Sequence, residues 1–160
     1  MVPRIETLLP KNLAGKKLRM SLAADRTAEL FRSFMPRRND IPGRLTDDIF
    51  CLQIYGRDFD FRYFDPAAEF EKWAAVEVAE PGGIPGEMEF LALPGGMYAV
   101  FDHRGGPAAA EKTFRYIFET WLPASGYSID ARPHFEILGA KYGDGGPDSE
   151  EEVWIPIRQI

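Results

Sequence analysis

The sequence predicts a single α+β domain made of duplicated βαββ units about a pseudo-twofold axis, with an antiparallel sheet, helices on one face and a ligand cleft on the other. Three observations lead there. The chain has 160 residues, 45% of them hydrophobic, which suits one core and is too short for several ordinary domains. Proline and glycine cluster at Pro81-Gly82-Gly83, Pro94-Gly95-Gly96, Gly105-Gly106-Pro107 and Gly143 to Pro147, cutting the chain into short elements without an interdomain linker. Elements of the same kind then recur in the same order in two halves, about 10–80 and 87–160, of one domain spanning 1–160.

In the first half a strand over Leu13 to Ser21 leads into a helix over Ala23 to Met35, where Thr27, Leu30, Phe31, Phe34 and Met35 form an apolar stripe that stops at Pro36. Strands over Ile49 to Gly56 and Phe70 to Val78 complete the unit. The second half repeats it with Glu89 to His103, a helix over Ala108 to Leu122, then Phe135 to Lys141 and Glu152 to Ile160. In that helix Phe114, Ile117, Phe118, Trp121 and Leu122 recur at helical spacing, between Pro107 in the first turn and Pro123 beyond the end. Leu30-Phe31-x-x-Phe34-Met35-Pro36 matches Ile117-Phe118-x-x-Trp121-Leu122-Pro123, and Leu52 to Gly56 matches Phe135 to Gly139. Glu71-Lys72-Trp73 likewise matches Glu152-Val153-Trp154, and Gly15 to Ser21 lies over Gly96 to Asp102; the offsets drift only as loop lengths change.

Charge and cysteine content narrow the function. With 19 basic and 25 acidic residues the net charge is -6, which disfavours direct nucleic-acid binding or attraction to a membrane surface. Cys51 is the single cysteine, so no intrachain disulfide or cysteine-cluster metal site is expected, and cytoplasmic residence follows as the expectation. Arg4, Glu6 and Lys11 interrupt the apolar N-terminal stretch, and no apolar run nears the ~18 residues of a membrane span. Neither signal peptide nor anchor is expected.

Strand parity sorts the sheet residues. The apolar set Leu52, Ile54, Phe135, Ile137, Ile155 and Ile157 is expected to face the helices. The other set, Gln53, Tyr55, Trp73, Tyr98, Glu136 and Trp154, concentrates large aromatics around one acid on the free face, as in a concave ligand site. Glu136 lies within a strand, apart from the acidic run Glu150-Glu151-Glu152. A carboxylate among aromatic rings pairs with an amine or a delocalised cationic dye, each ring adding roughly 0.5–2 kcal/mol of cation–π attraction. The alternatives are a strand glutamate paired with a nearby base, and ordinary core packing for Trp73 and Trp154. Trp121 ends its helix beside Pro123, within reach of the sheet's edge; Phe31, Phe34, Phe114 and Phe118 read as core.

Other candidates are weaker. His103 and His134 are too few for a metal site without carboxylates, and each reads as a solvated or structurally bonded histidine. Cys51 has no imidazole at a recognisable spacing and reads as inert. The stretch His103 to Pro107 enters a helix and reads as a tight turn rather than an anion site. The alternation of acids and aromatics over Asp58 to Asp65 forms either a wall or lid of the site or a hairpin-like excursion. No cofactor is expected.

Four stretches then carry a resemblance: Tyr98-Ala99-Val100-Phe101-x-His103-x-Gly105, Trp121-Leu122-Pro123-x-Ser125-Gly126-Tyr127, Pro133-x-Phe135-Glu136, and Val153-Trp154-Ile155-Pro156-Ile157. In this order they resemble the GyrI-like small-molecule-binding domain, which also forms the effector-binding half of AraC-type and MerR-type transcription activators. Met20-Ser21-Leu22, Thr27, Leu30 and Phe34 to Arg38 resemble a subgroup of single-domain members. The resemblance implies two βαββ repeats and a cleft between them for hydrophobic, often cationic compounds, as in multidrug binding. It places the family's buried acid on Glu136. One departure is Leu138, where the family often has tyrosine; Tyr55, its symmetry mate, is a candidate for the missing ring.

Three functions follow. The leading one is a stand-alone small-molecule-binding protein for sensing or sequestration, with Glu136, Tyr55, Trp73, Tyr98, Trp121, Trp154 and Gln53 as its ligand-binding residues and no catalytic step. The second is a hydrolase of reactive electrophilic compounds in which Glu136 activates water. The third is a protein partner, such as an inhibitor of DNA gyrase. The duplication occupies nearly all 160 residues, so this chain is not expected to bind an operator by itself.

Overall fold

Two short links decide the architecture of the computed structural model, which describes residues 1–61, 63 and 65–160. Leu9-Pro10 joins β1 (Arg4–Leu8) to β2 (Lys11–Ser21), and Pro94-Gly95 joins β5 (Glu89–Leu93) to β6 (Gly96–Arg104). With β3 (Ile49–Ile54), β4 (Glu69–Val78), β8 (His134–Leu138) and β9 (Glu150–Gln159) these strands form an antiparallel sheet in the order β1-β6-β9-β8-β3-β4-β2-β5. β7 (Tyr127–Ile129) adds to β9 off that path. β1 and β2 stand near opposite ends of the order, yet two residues span no more than about 11 Å between them, so the sheet must curl. The links cross in contact: a Cβ on Gly95 would lie 2.5 Å from the Leu8 carbonyl oxygen and 2.9 Å from Pro10 Cδ, which only glycine avoids.

The strand order is palindromic. Exchanging β1 with β5, β2 with β6, β3 with β8 and β4 with β9 reproduces it in reverse. Leu52 and Phe135, matched by the sequence repeat, pair directly across β3 and β8, so the pseudo-twofold axis passes between them. The matched tryptophans repeat a detail: Trp73 Nε1 donates to Glu71 at 2.7 Å and Trp154 Nε1 to Glu152 at 3.1 Å.

Both helices pack on the convex face. α1 (Thr27–Phe34) opens where Asp25 Oδ1 accepts from the Thr27 N–H at 2.9 Å, and buries Leu30 and Phe34 on Ala14, Ala74 and Val76. Full burial of each such side chain contributes roughly 1.5–3 kcal/mol. A 3-10 turn over Met35–Asp40 follows, since Pro36 fits its first positions. The second helical stretch is a 3-10 turn at Pro107–Ala109, α2 (Ala110–Arg115), a π segment at Tyr116–Trp121 and α3 (Leu122–Ser125). Pro123 lacks the N–H that would return to the Glu119 carbonyl, and the Leu122 N–H reaches back five residues to Ile117. Ile117 packs with Ala99, Phe101, Val153, Ile155 and Ile157.

The α+β class and the two-helix, large-sheet architecture are as the sequence predicts. The first helix begins at Thr27 rather than Ala23, and the expected strand from Glu89 to His103 is two strands, because Pro94-Gly95 turns the chain from one end of the sheet to the other. β1 and β7 were not expected. The face assignment needs a larger correction. Leu52, Ile54, Phe135 and Ile137 point away from the helices, into a core with Leu8, Leu13, Trp73, Leu93, Tyr98 and Trp154. Only Ile155 and Ile157 of the predicted apolar set face the helices. Curling buries the concave face of the sheet on itself, so the face without helices is an apolar core and not a cleft.

Candidate functional site

The cleft lies on the helix-bearing face, beside α2 and the turn that leads into α1. This corrects the expectation of a cleft on the opposite side. Its volume is about 630 Å³, ample for a drug-sized compound. The sheet floor supplies Gln53, Lys72, His134, Glu136 and Ile155; the helical wall supplies Glu111, Phe114, Arg115, Phe118 and Glu119. These wall residues recur at three- and four-residue spacing, which places them on one side of a helix.

At the floor Gln53 Nε2 donates to Glu136 Oε1 at 3.3 Å. Burial pushes the Glu136 carboxyl up to about 7; Lys72 pulls it down, Glu151 pushes it up, and the Gln53 hydrogen bond lowers it. Lys72 Nζ donates to Thr27 Oγ1 at 2.9 Å, and Thr27 Oγ1 donates to Asp25 at 2.5 Å. Burial opposes the Lys72 charge, but the nearby carboxyl groups of Glu136, Asp25 and Glu151 favour it, and the ammonium's pKa is raised. Burial also pushes the Cys51 thiol up to about 12, which keeps it protonated and inert.

An aromatic cluster forms one side of the site. Tyr55 packs against Phe59 at 4.4 Å, Phe61 at 5.1 Å, Phe70 at 5.2 Å and His134 at 4.9 Å between ring centroids. Phe61 stacks on both His134 and Phe118. Burial pulls His134 down to about 3, so its ring is neutral and acts as another flat wall. Within the expected acid–aromatic segment Asp58 to Asp65, Phe59 and Phe61 join this cluster, while Arg62 and Phe64 lie outside the described residues.

The sequence-predicted site residues divide. Gln53, Tyr55 and Glu136 line the cleft together. Trp73, Tyr98 and Trp154 lie in the core on the other face, where Tyr98 and Trp154 pack at 5.7 Å between centroids and Lys17 sits over Trp73. Trp121 packs edge-on against Phe101, 5.1 Å away, and stacks on Tyr127 at 6.3 Å. Tyr55 reaches the cleft from the position equivalent to Leu138, which instead packs with the α1 core. His103 is structurally bonded: its two ring nitrogens meet Thr113 Oγ1 at 2.7 Å and the Gly106 carbonyl at 2.8 Å.

Sequence reasoning missed Lys72, Asp25 and His134, and read Phe114 and Phe118 as core. One signal for Lys72 was available. Phe70, Lys72, Ala74, Val76 and Val78 share one parity of β4, and the lysine is the single charge among four apolar residues. Among the described residues no group of three or more His, Cys, Asp or Glu is placed to hold a metal, and no helix is long and apolar enough to cross a membrane.

Two βαββ halves, a curled antiparallel sheet and a ligand-sized cleft with a carboxylate at its floor define the class, an α+β small-molecule-binding domain. The chain belongs to the GyrI-like family: residues 1–158 match its GyrI-like small molecule binding domain. It is 27% identical over 150 residues to the transcriptional regulator BrlR of Pseudomonas aeruginosa, covering 91% of this chain and 52% of that protein. The chain thus spans about half the length of this curated relative. Among solved structures, SAV2435 bound to tetraphenylphosphonium is similar with a TM-score of 0.68 at 19% identity, covering 99% of this chain and 94% of that one. The C-terminal domain of EcmrR has a TM-score of 0.72 at 13% identity, with both chains fully covered. At these identities the two structures establish the shared fold.

Proposed function

We propose that this protein binds hydrophobic compounds, cationic aromatic ones foremost, in the cleft over β3 and β8, for sensing or sequestration. The observation that carries the reading is Glu136, a carboxylate at the floor of an aromatic-walled cavity of about 630 Å³. A cation brought to Glu136 gains a charge-assisted contact in a site of low polarity, and the flanking rings add cation–π attraction. Among the described residues that line the cleft, Asp25, Glu111, Glu119 and Glu136 outnumber Lys72 and Arg115, a balance that favours cations. SAV2435, similar in fold, holds the lipophilic cation tetraphenylphosphonium. The ligand-binding residues in this reading are Glu136, Gln53 and Tyr55, joined by Phe59, Phe70 and Phe118.

Calorimetric titration with tetraphenylphosphonium tests it. The parent protein binds the cation, and Glu136→Gln weakens binding; equal affinity in the two proteins removes Glu136 from the recognition. A hydrolytic reading has one observation in its favour, the displacement of Glu136 to about 7, where a carboxylate serves as a general base. Consumption of an electrophilic substrate by the parent and not by Glu136→Gln would replace binding with turnover.

A further inference from the structure

The cleft holds a cation of its own. Lys72 on β4 and Glu136 on β8 stand two strands apart with β3 between them, Lys72 level with Gln53 and Glu136 level with Cys51, a two-residue stagger that sets their Cα atoms about 12 Å apart. Gln53 on β3 pairs laterally with Lys72 and fills the intervening space by donating to Glu136. Lys72 is drawn the other way, toward α1, by Thr27, itself anchored on Asp25. The two charges are therefore held apart instead of collapsing into an ion pair. Arg115, the other cation among the described residues that line the cleft, is already bound to Glu111 at 2.5 Å. One N–H of Lys72 goes to Thr27, and an ammonium has three to give.

We propose that Lys72 is a specificity-determining residue that makes the cleft bipolar, so that it selects aromatic zwitterions over simple lipophilic cations. The cationic end of such a ligand meets Glu136. Its anionic or strong acceptor end meets Lys72, about one ring system away. A simple cation satisfies Glu136 but leaves Lys72 unanswered and repels it. This rests on the binding reading above and deepens it by naming the ligand class.

Rhodamine B and its ethyl ester form a matched pair of probes: both carry the delocalised xanthylium cation, and only the first carries a free carboxylate. Fluorescence anisotropy on the full chain measures both affinities. The parent is expected to bind rhodamine B about tenfold or more tighter than the ester, the ratio expected of one hydrogen bond to a charged group. Lys72→Met is expected to abolish that preference and Lys72→Arg to keep it, with thermal melts establishing that both variants fold. A parent that binds ester and acid equally, or a preference that survives Lys72→Met, overturns the proposal while leaving the Glu136 reading intact. Failure of both dyes to bind, or binding insensitive to Glu136→Gln, overturns both.

Discussion

Gln53 donates to Glu136 across 3.3 Å, and the two residues occupy equivalent positions in the two halves of the chain. The duplication has thus placed an amide and a carboxylate side by side near its own axis. The amide supplies the donor while the carboxylate keeps a second oxygen for a ligand. Glu136→Gln should weaken a cationic aromatic ligand by roughly 1.5–3 kcal/mol, and a neutral analogue much less. Calorimetry on both ligands measures the difference.

The same carboxyl predicts a pH dependence. Its folded pKa, about 7, is raised above that of an ordinary glutamate, so between roughly pH 4.5 and 7 the folded state holds a proton that the unfolded chain releases. The stability this group contributes is present below pH 4.5 and is lost as pH rises through 7, a loss on the order of 3 kcal/mol. Glu136→Gln lacks this titration. Urea denaturation at pH 5 and pH 8 should show the variant gaining on the parent at the higher pH, while cation binding by the parent strengthens over the same interval.

Phe118 and Ile117 are neighbours with different duties. Ile117 is fully buried against the sheet, and Ile117→Ala should cost about 2–5 kcal/mol of stability. Phe118 is half-buried at the cleft and stacks on Phe61 at 5.6 Å. Phe118→Ala should cost less stability than Ile117→Ala, and about 0.5–2 kcal/mol of affinity for an aromatic cation. Denaturation curves and titrations of the two variants separate these effects.

Trp73 is 3% exposed on the face away from the cleft. Trp73→Ala should therefore cost about 3–5 kcal/mol of stability and change cation affinity by less than about twofold where the variant is folded. Measuring both quantities on this variant distinguishes a core residue from a binding residue.

Gly95 lies where the two links cross. Gly95→Ala forces a methyl against the Leu8 carbonyl and should destabilise the fold by about 1–3 kcal/mol through overpacking. The midpoint of urea unfolding reports it.

Much of this was legible in the residues alone. The matched stripes ending at Pro36 and Pro123 and the matched tryptophans Trp73 and Trp154 disclosed the duplication, since each copy needs the same side chains for the same packing. Glu136 stood out because a lone acid within a short apolar strand requires a partner. Period two also separated Gln53 and Glu136 correctly from Leu52 and Phe135.

Which of those two faces would be covered was decided only by the tertiary structure. Alternation states which residues share a side and is silent about what lies over it. Here Leu9-Pro10 and Pro94-Gly95 draw opposite ends of the sheet together, and the curl buries Tyr98, Trp73 and Trp154 as a core. Helices on the convex side then wall the other set into a cleft. Lys72, Thr27 and Asp25 meet there from β4 and the start of α1, a convergence that depends on how strands and helices dock and is encoded in no local spacing.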